Sequence, residues 1–250
     1  MKKNLLIIIP ARSGSTRVKN KNLRKVGGKS LIEIKIKSCL QIKNASVVVS
    51  TNSIKIARLS KSYGAQVPYL RSKKYSTSKA STIACVLDLM RFFLKNKVNI
   101  PEYIAVCPPT NPFLKAESIK GSFNKLLKNK DLNSVLGYTV STDHPFSFIS
   151  IVKEKIKFNI IKFQKKTYSQ FERTQDWPKS YIGSAAIKIS KRSYFMKHIQ
   201  NKTPNLNLKT FDLSNALGFC INEIENFDIN REFDVKLANF LFKLKTTNNY

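Results

Sequence analysis

Residues 5–32, LLIIIPARSGSTRVKNKNLRKVGGKSLI, decide the fold of this chain of 250 residues. Leu5 to Ile9 form a continuous apolar run without alternation, which is typical of a strand buried on both faces of a parallel sheet. Pro10 ends this run, and the loop that follows is almost free of apolar residues. Open α/β sheets bind their ligands at the carboxyl ends of such strands. The stretch therefore predicts an α/β fold with a ligand site on this loop.

The loop is strongly basic and glycine-containing. Its cations are Arg12, Arg17, Lys19, Lys21, Arg24 and Lys25. Guanidinium groups, together with backbone N–H groups near Gly14, suit a polyphosphate, because charge-assisted bonds to phosphate oxygens are stronger than neutral ones. The chain has neither GxxxxGK[ST] nor GxGxxG here, so side chains and loop amides would supply the contacts. A solvated basic turn is the simpler alternative, but the preceding apolar strand and the following Gly27-Gly28-Lys29 favour a phosphate site.

Apolar strands and amphipathic helices alternate after the loop. The predicted helices are residues 31–40, 54–63, 81–94 and 116–127, and the predicted strands are residues 46–50, 66–70 and 103–107. This alternation, up to about residue 140, predicts a doubly wound, mostly parallel sheet. Between Pro145 and Thr167 polar and apolar residues alternate instead, which predicts an inserted β hairpin. Returning strands at residues 185–189 and 218–221 and a last helix at 233–244 complete the prediction.

Composition limits the classes of function. The formal net charge of +30 would ordinarily favour a nucleic-acid-binding protein. The lysines are spread along the chain with many asparagines and isoleucines, however, so we interpret much of the charge as compositional and predict no nucleic-acid partner. A basic nucleic-acid-binding protein is the less favoured alternative, and a small anionic ligand is preferred.

Cysteine usage and hydropathy favour a cytoplasmic protein. Cys39, Cys85, Cys107 and Cys220 are far apart and form no metal-ligand pattern, and three of them have apolar surroundings typical of reduced core thiols. The apolar run after Lys2 and Lys3 is too short for a signal peptide, and no stretch approaches transmembrane length. We therefore expect no membrane partner.

The run IPARSGSTRVKNKNLRKVGGKSLI resembles the N-terminal signature of the cytidylyltransferases that activate sugar acids, roughly A-R-x-G-S-K/T-x-x-x-x-K-N. These are the N-acylneuraminate (sialic acid) cytidylyltransferase family, with 3-deoxy-manno-octulosonate cytidylyltransferase as a more distant relative. Further similar segments follow in order: residues 47–71, STSKAST (76–82), PPTNPFLKAES (108–118), ERTQDWP (172–178) and FDINREFDVKLA (227–238). The six segments are distributed along nearly the whole chain, from residue 9 to residue 238.

The resemblance implies an architecture and a reaction. It implies one Rossmann-like domain over residues 1–250, of the nucleotide-diphospho-sugar transferase type. Residues 142–182, called the arm below, would be an inserted dimerisation element that helps to complete the active site of a second subunit in a homodimer. The implied reaction joins CTP and a sialic acid-like nonulosonic acid to give a CMP-sugar and pyrophosphate.

The resemblance also implies nucleotide-binding residues. They are Ala11, Arg12, Gly14, Ser15, Arg17, Lys21, Asn22, Arg71, Ser81 and Thr82. Arg12 and Lys21 would contact the triphosphate, and Arg17 would replace the lysine that many relatives carry after their Gly-Ser pair. Arg71 would lie near the base and ribose, where Ser81 and Thr82 would read cytosine. The family's aspartate at the position of Ser78 is missing, so another base, for instance in GTP, stays an alternative.

The metal and acceptor residues follow from the later segments. Asp228 matches a Mg²⁺ ligand, with Asn230 as a weaker second ligand, and the implied catalytic residues are Arg12, Lys21 and Asp228. The implied acceptor residues are Thr110, Asn111, Arg173 and Gln175, with Arg173 pairing with the sugar carboxylate. The acceptor motifs depart from the family at Pro108, Leu114 and Ser147. An octulosonate-type acceptor and a catalytically degenerate homologue therefore stay alternatives.

Overall fold

The computed structural model describes residues 4–147, 149–152, 155–158, 166–199, 211–212 and 215–247. The strands are β1 (Leu5–Pro10), β2 (Lys25–Val26), β3 (Lys29–Ser30), β4 (Ala45–Ser50), β5 (Tyr103–Val106), β6 (Ser134–Val140), β7 (Ile149–Val152), β8 (Lys155–Phe158), β9 (Tyr181–Lys191) and β10 (Ala216–Cys220). The helices are α1 (Leu31–Leu40), α2 (Ile54–Ser62), α3 (Thr82–Lys95), α4 (Ala116–Lys128), α5 (Arg192–Ile199), α6 (Glu223–Asn226) and α7 (Glu232–Thr247).

The central sheet has six strands in the order β10-β6-β9-β5-β1-β4. Strands β4 and β5 pair in parallel with β1, and β10 pairs in parallel with β6. Strand β9 is antiparallel to both β5 and β6, so the other five strands run the same way. The chain winds from β1 outward to β4 and then crosses back over β1 to β5, which makes the β1/β5 boundary a topological switch point. The doubly wound, mostly parallel prediction is confirmed.

The apolar run of β1 is buried on both faces, as its lack of alternation predicts. Leu5, Ile7 and Ile9 belong to a core cluster that includes residues of α1, α2 and α4. Leu6 and Ile8 belong to a second cluster with residues of α3 and α5. The sheet is therefore the middle of three layers. Because both faces of β1 are buried, its polar neighbours cannot continue the strand, and the basic loop begins where the apolar run ends.

Two strand predictions need correction. Residues 66–70 do not form a strand but make isolated bridges from Gln66 to Val48 and from Leu70 to Thr51. Pro68 lies between these bridges and has no N–H to donate, so a continuous ladder is not available there. The strand predicted at residues 185–189 is the middle of β9, which spans Tyr181–Lys191 and runs antiparallel.

The predicted hairpin is confirmed for β7 and β8, which pair antiparallel. Residues 159–165 of the predicted arm lie outside the described residues, as do its residues 148, 153 and 154. At the base of the arm the Ser141 N–H donates to the Ser180 carbonyl at 3.0 Å, so the excursion leaves and re-enters the sheet at adjacent points. The ring of Trp177 lies 5.0 Å from that of His144 and 5.5 Å from that of Phe146.

The cysteines follow the sequence prediction, since Cys39, Cys85 and Cys107 are buried. Cys220 is exposed. Within the described ranges, no helix is both long and apolar enough to cross a membrane.

Candidate functional site

Three loops meet at the carboxyl edge of the sheet. They follow β1 (residues 11–24), β5 (107–115) and β10 (221–231). Backbone bonds join them to the sheet and to each other: the Ala11 N–H donates to Ser50 O at 2.9 Å, and the Ile229 N–H donates to Thr110 O at 2.9 Å. The edge at the switch point, where α/β sheets bind ligands, is therefore built from the segments that carry the predicted site.

A cleft of roughly 340 Å³, called the switch-point cleft below, lies between these loops. Its lining residues are Pro10, Arg12, Ser15, Thr16, Arg17, Lys21, Asn22, Ser78 and Thr110. Five of the predicted nucleotide-binding residues are thus brought together, namely Arg12, Ser15, Arg17, Lys21 and Asn22. No acidic residue is among the described ones that line the cleft. Its lining is cationic and hydroxyl-rich, which suits a phosphate chain.

The guanidinium of Arg12 is held by its own loop. Its Nη1 donates to Gly14 O at 2.9 Å and to Ser13 O at 3.4 Å. Gly14 has a φ of +73°, a conformation that glycine adopts without strain. In the part of the chain that the structure describes, Nε and Nη2 of Arg12 have no hydrogen-bond partner. One edge of the guanidinium is therefore oriented by the protein while the other can donate to an anion.

The side-chain amides of Asn22 and Asn52 hold the backbone of this loop in place. The Nδ2 of Asn22, a buried residue, donates to Arg12 O at 2.9 Å. The Oδ1 of Asn52 accepts from the backbone N–H of Ser13 at 2.8 Å. Ala11 is fully buried, so its side chain supports the floor of the site. Asn52 was not predicted, although a polar residue just after the second buried strand could have indicated it.

Lys21 joins the basic loop to the segment that contains Asp228. Its Nζ donates to Ile229 O at 2.6 Å. Burial lowers the pKa of Lys21, and the nearby Asp228 carboxylate acts in the opposite direction. The predicted catalytic residues Lys21 and Asp228 are therefore neighbours, although Asp228 is not among the residues that line the cleft.

Asp228 offers one uncommitted carboxylate oxygen. Its Oδ2 accepts from Asn230 Nδ2 at 2.9 Å. Its Oδ1 is buried and has no hydrogen-bond partner among the described residues. A buried carboxylate oxygen without a donor fits a cation ligand, because Mg²⁺ is usually held by one or two carboxylates with phosphate and water oxygens. Asn230 acts here as a brace for Asp228. No cluster of three acidic, His or Cys residues occurs within the described chain, so any metal would depend on the bound phosphates as well.

The two predicted acceptor residues on the loop after β5 differ in position. Thr110 lines the switch-point cleft. Asn111 is fully buried, and its Nδ2 donates to the carbonyls of Asn226 at 3.2 Å and Phe227 at 3.1 Å. In this conformation the side chain of Asn111 points inward and supports the segment before Asp228, because it satisfies backbone carbonyls there. Its contact with the sugar acceptor stays a prediction.

The predicted base-reading residues lie beside the cleft rather than in it. Arg71 is buried, its backbone N–H donates to Thr51 O at 2.7 Å, and its Nε and Nη2 have no hydrogen-bond partner among the described residues. Ser81 caps helix α3, since its Oγ accepts from the Ala84 N–H at 3.3 Å, and Thr82 is exposed at the first position of that helix. None of the three lines the switch-point cleft.

The predicted acceptor residues on the arm do not line the cleft of their own chain either. Arg173 and Gln175 are exposed, and the Arg173 guanidinium forms a bidentate pair with Asp176 at 2.9 and 3.2 Å. The structure thus brings the phosphate-side residues together and leaves the arm residues apart from them.

Comparisons with known proteins agree with this geometry. The cytidylyltransferase family model matches residues 6–213. The chain is 36% identical over 144 residues to CMP-N,N'-diacetyllegionaminic acid synthase of Legionella pneumophila, a match that spans 57% of this chain and 59% of that protein. It is 29% identical over 183 residues to pseudaminic acid cytidylyltransferase of Campylobacter jejuni, over 73% of this chain and 76% of that one.

The fold comparison agrees as well. The structure of CMP:2-keto-3-deoxy-manno-octonic acid synthetase complexed with CTP superimposes with a TM-score of 0.71, covering 96% of this chain and 99% of that chain at 13% identity. This likeness shows the fold alone. The family model, by contrast, matches residues 6–213 of the 250 residues, which include the basic loop and the loops after β4 and β5. The chain therefore belongs to the cytidylyltransferase family.

Proposed function

We propose that this chain transfers the cytidylyl group of CTP to the anomeric hydroxyl of an acidic nine-carbon keto sugar and releases pyrophosphate. The observation that carries the proposal is the switch-point cleft, where Arg12, Arg17 and Lys21 line a space without a carboxylate among its described residues. A triphosphate is the substrate group that such a lining favours. The nine-carbon acceptor class is supported by the names of the relatives from Legionella pneumophila and Campylobacter jejuni.

The reaction requires stabilisation of charge rather than covalent catalysis by the protein. The hydroxyl oxygen of the sugar attacks the α-phosphorus and gives up its proton to solvent, while the bond from that phosphorus to the pyrophosphate oxygen breaks. Negative charge grows on the α-phosphate and on the leaving pyrophosphate, and preorganised cations stabilise it more than they stabilise bound CTP. Arg12 and Arg17 would bind the phosphates at the mouth of the cleft, and Lys21 would do so at its inner side.

We propose Mg²⁺ as the cofactor, held by Asp228 through its unpartnered Oδ1, with Asn230 beside it. Bound there with phosphate oxygens, the ion would supply positive charge to the triphosphate and increase the acidity of a coordinated hydroxyl. The chain's own contribution is to fix the carboxylate. Asn230 orients Oδ2, and the bond of Lys21 to Ile229 O holds the next residue.

We further propose that a second copy of the chain completes the acceptor site, so that the working unit is a homodimer. Arg173 and Gln175 lie on the exposed part of the arm and do not line the cleft of their own chain. In the dimer Arg173 would leave Asp176 and bind the sugar carboxylate through the same two N–H groups. Because CTP is a cytoplasmic metabolite, we propose the cytoplasm as the site of action.

The test is pyrophosphate release by the purified protein with Mg²⁺, each of the four nucleoside triphosphates, and a panel of nonulosonic and octulosonic acids. We expect release with CTP and a nine-carbon acid. Release with GTP or with an octulosonic acid instead would correct the base or the acceptor. Arg12→Ala is the diagnostic variant, and Lys19→Ala is its matched control, since Lys19 is an exposed cation of the same loop that does not line the cleft.

A further inference from the structure

Lys35 is an unexpected residue in the core, because its side chain is only 1% exposed. It lies in the middle of α1, beside the fully buried residues Ile36 and Cys39. Burying an ammonium group is costly unless it is compensated by hydrogen bonds or charges. Position 35 is four residues from both Leu31 and Cys39, so helical periodicity places this lysine on the buried face of α1, where an apolar residue would be expected.

The described residues provide one hydrogen bond for this ammonium, from Lys35 Nζ to the backbone carbonyl of Asn111 at 2.8 Å. Burial lowers the pKa of Lys35, while the nearby Cys39, Cys107 and Glu225 act in the opposite direction. The side chain thus spans from α1 to the loop after β5, at Asn111, whose own side chain hydrogen-bonds the segment before Asp228.

Asn111 and its neighbour hold Asp228 from both sides. Before Asp228, Asn111 Nδ2 donates to the carbonyls of Asn226 and Phe227. After Asp228, the Ile229 N–H donates to Thr110 O at 2.9 Å. A shift of the Thr110–Asn111 backbone would therefore move Asp228 at both of its flanking residues.

Hydrogen bonds from α1 and from Glu225 hold the other end of the loop after β5. Ser38 Oγ of α1 donates to Leu114 O at 3.1 Å. The Glu225 carboxylate accepts from the Lys115 N–H at 2.9 Å and from Ser118 Oγ at 2.6 Å. These contacts fix residues 114–118, whereas the carbonyl of Asn111 accepts from Lys35 Nζ at 2.8 Å and, at the longer distance of 3.4 Å, from the Leu114 N–H.

We infer that Lys35 is a positioning residue, which holds the Asn111 carbonyl so that Asp228 presents its free oxygen to the metal-bound triphosphate. The inference rests on the proposed function in one respect, that Asp228 contacts a divalent ion. It adds a residue of the helix core to the site, one that touches neither substrate nor metal.

The experiment measures nucleotide affinity calorimetrically, with and without Mg²⁺, so that it does not depend on turnover. The probe is whichever of CTP, UTP, GTP and ATP binds most tightly. The metal-free affinity reports on the cationic lining of the cleft as a whole, and the gain in affinity on adding Mg²⁺ reports on Asp228. The variants are Lys35→Met, which keeps the volume and removes the donor, and the matched control Ile36→Val, a fully buried residue of the same helix whose side chain carries no hydrogen-bond donor.

We expect Lys35→Met to reduce the Mg²⁺ gain at least tenfold, to leave the metal-free affinity within twofold, and to melt within a few degrees of the wild-type chain. Ile36→Val should change neither affinity by more than twofold. Asn111→Ala should reproduce the loss, and the double variant should lose no more than the larger single loss, because both act through one element. Should Lys35→Met fail to fold, Lys35→Leu, which also removes the donor and favours the helix, carries the same test.

Two results would overturn the inference. In Lys35→Met, the gain in nucleotide affinity on adding Mg²⁺ could be unchanged, or the affinities with and without Mg²⁺ could fall by the same factor. A wild-type chain without any Mg²⁺ gain would overturn it as well. Failure of the proposed reaction is separable: a chain that binds a triphosphate with a Mg²⁺ gain sensitive to Lys35, yet releases no pyrophosphate with any acid, refutes the proposed reaction and supports the positioning role.

Discussion

Replacing Arg12 by alanine removes the guanidinium that the basic loop has already oriented. Because Nη1 is engaged with Ser13 O and Gly14 O, the donors left for a ligand are those of Nε and Nη2, which suit two parallel bonds to a phosphate. Charge-assisted hydrogen bonds contribute about 1.5–3 kcal/mol each. The cleft is open to solvent, so we take the lower value for both bonds, about 3 kcal/mol in all. This corresponds to a loss of about 10²-fold in rate.

The assay is steady-state pyrophosphate release with CTP and the preferred acid, and it separates kcat from KM. If Arg12 stabilises charge that develops in the transition state, kcat falls with little change in KM. Arg12→Lys should recover about tenfold of the loss, because it restores the charge but not the paired geometry. Arg12 is half-buried at the edge of the loop, so the melting temperature of Arg12→Ala should stay within a few degrees of the wild-type value.

Two results would refute this reasoning. A loss below threefold in Arg12→Ala would remove Arg12 from the transition state. A similar large loss in Lys19→Ala would mean that the general positive field of the loop matters rather than the oriented guanidinium.

Three further predictions concern the metal site and the stability of the fold. Asp228→Ala should abolish turnover while the melting temperature is kept; unchanged turnover would exclude Asp228 from the metal site. Burial raises the pKa of Asp234, but hydrogen bonds from the Asn230 and Arg231 N–H groups outweigh it, so the pKa is lowered. The ionised carboxylate therefore stabilises the fold above the ordinary aspartate pKa, and this stabilisation is lost as pH falls through the lowered pKa. Asp234→Asn should therefore cost about 1–2 kcal/mol near pH 7, and its melting temperature should converge on that of the wild-type chain in acid; a constant difference would contradict this. Gly27→Ala places a Cβ against the Phe242 ring and should cost about 1–3 kcal/mol more in urea unfolding than Gly28→Ala, where φ is also positive but the Cβ meets open space. Equal costs would show that the ring moves away freely.

The sequence predicts the frame of the molecule well, because the frame depends on short-range patterns. The unbroken apolar run of β1 requires burial on both faces, and the structure buries it so. The bounds of α1 match the prediction because Ser30 caps its first turn and the apolar positions face the core. The direction of β9 could not be predicted, since it depends on where the chain re-enters the sheet after the arm.

The site is predictable where it is local and less so where it depends on distant partners. Arg12, Arg17 and Lys21 lie within one loop, so one motif gives all three. Asn111 looks like an exposed turn residue in the sequence, yet the carbonyls that it satisfies belong to residues more than a hundred positions later. The signal of Lys35 is only its position on the apolar face of α1, between Leu31 and Cys39, and it does not say which group the ammonium binds, because a lysine on a helix is ordinarily a surface residue.

The adjacent exit and return of the arm have a consequence for chain entropy. Antiparallel pairing of β6 with β9, together with the Ser141–Ser180 bond, already brings together the two ends of residues 142–179. Lengthening a closed loop from a tight turn to this size costs only about 2–3 kcal/mol, since the cost grows with the logarithm of length. Insertions and deletions in the arm therefore change the free energy of unfolding of the domain only slightly. The length and sequence of this excursion can vary between homologues while the sheet that carries the cleft keeps its strand order.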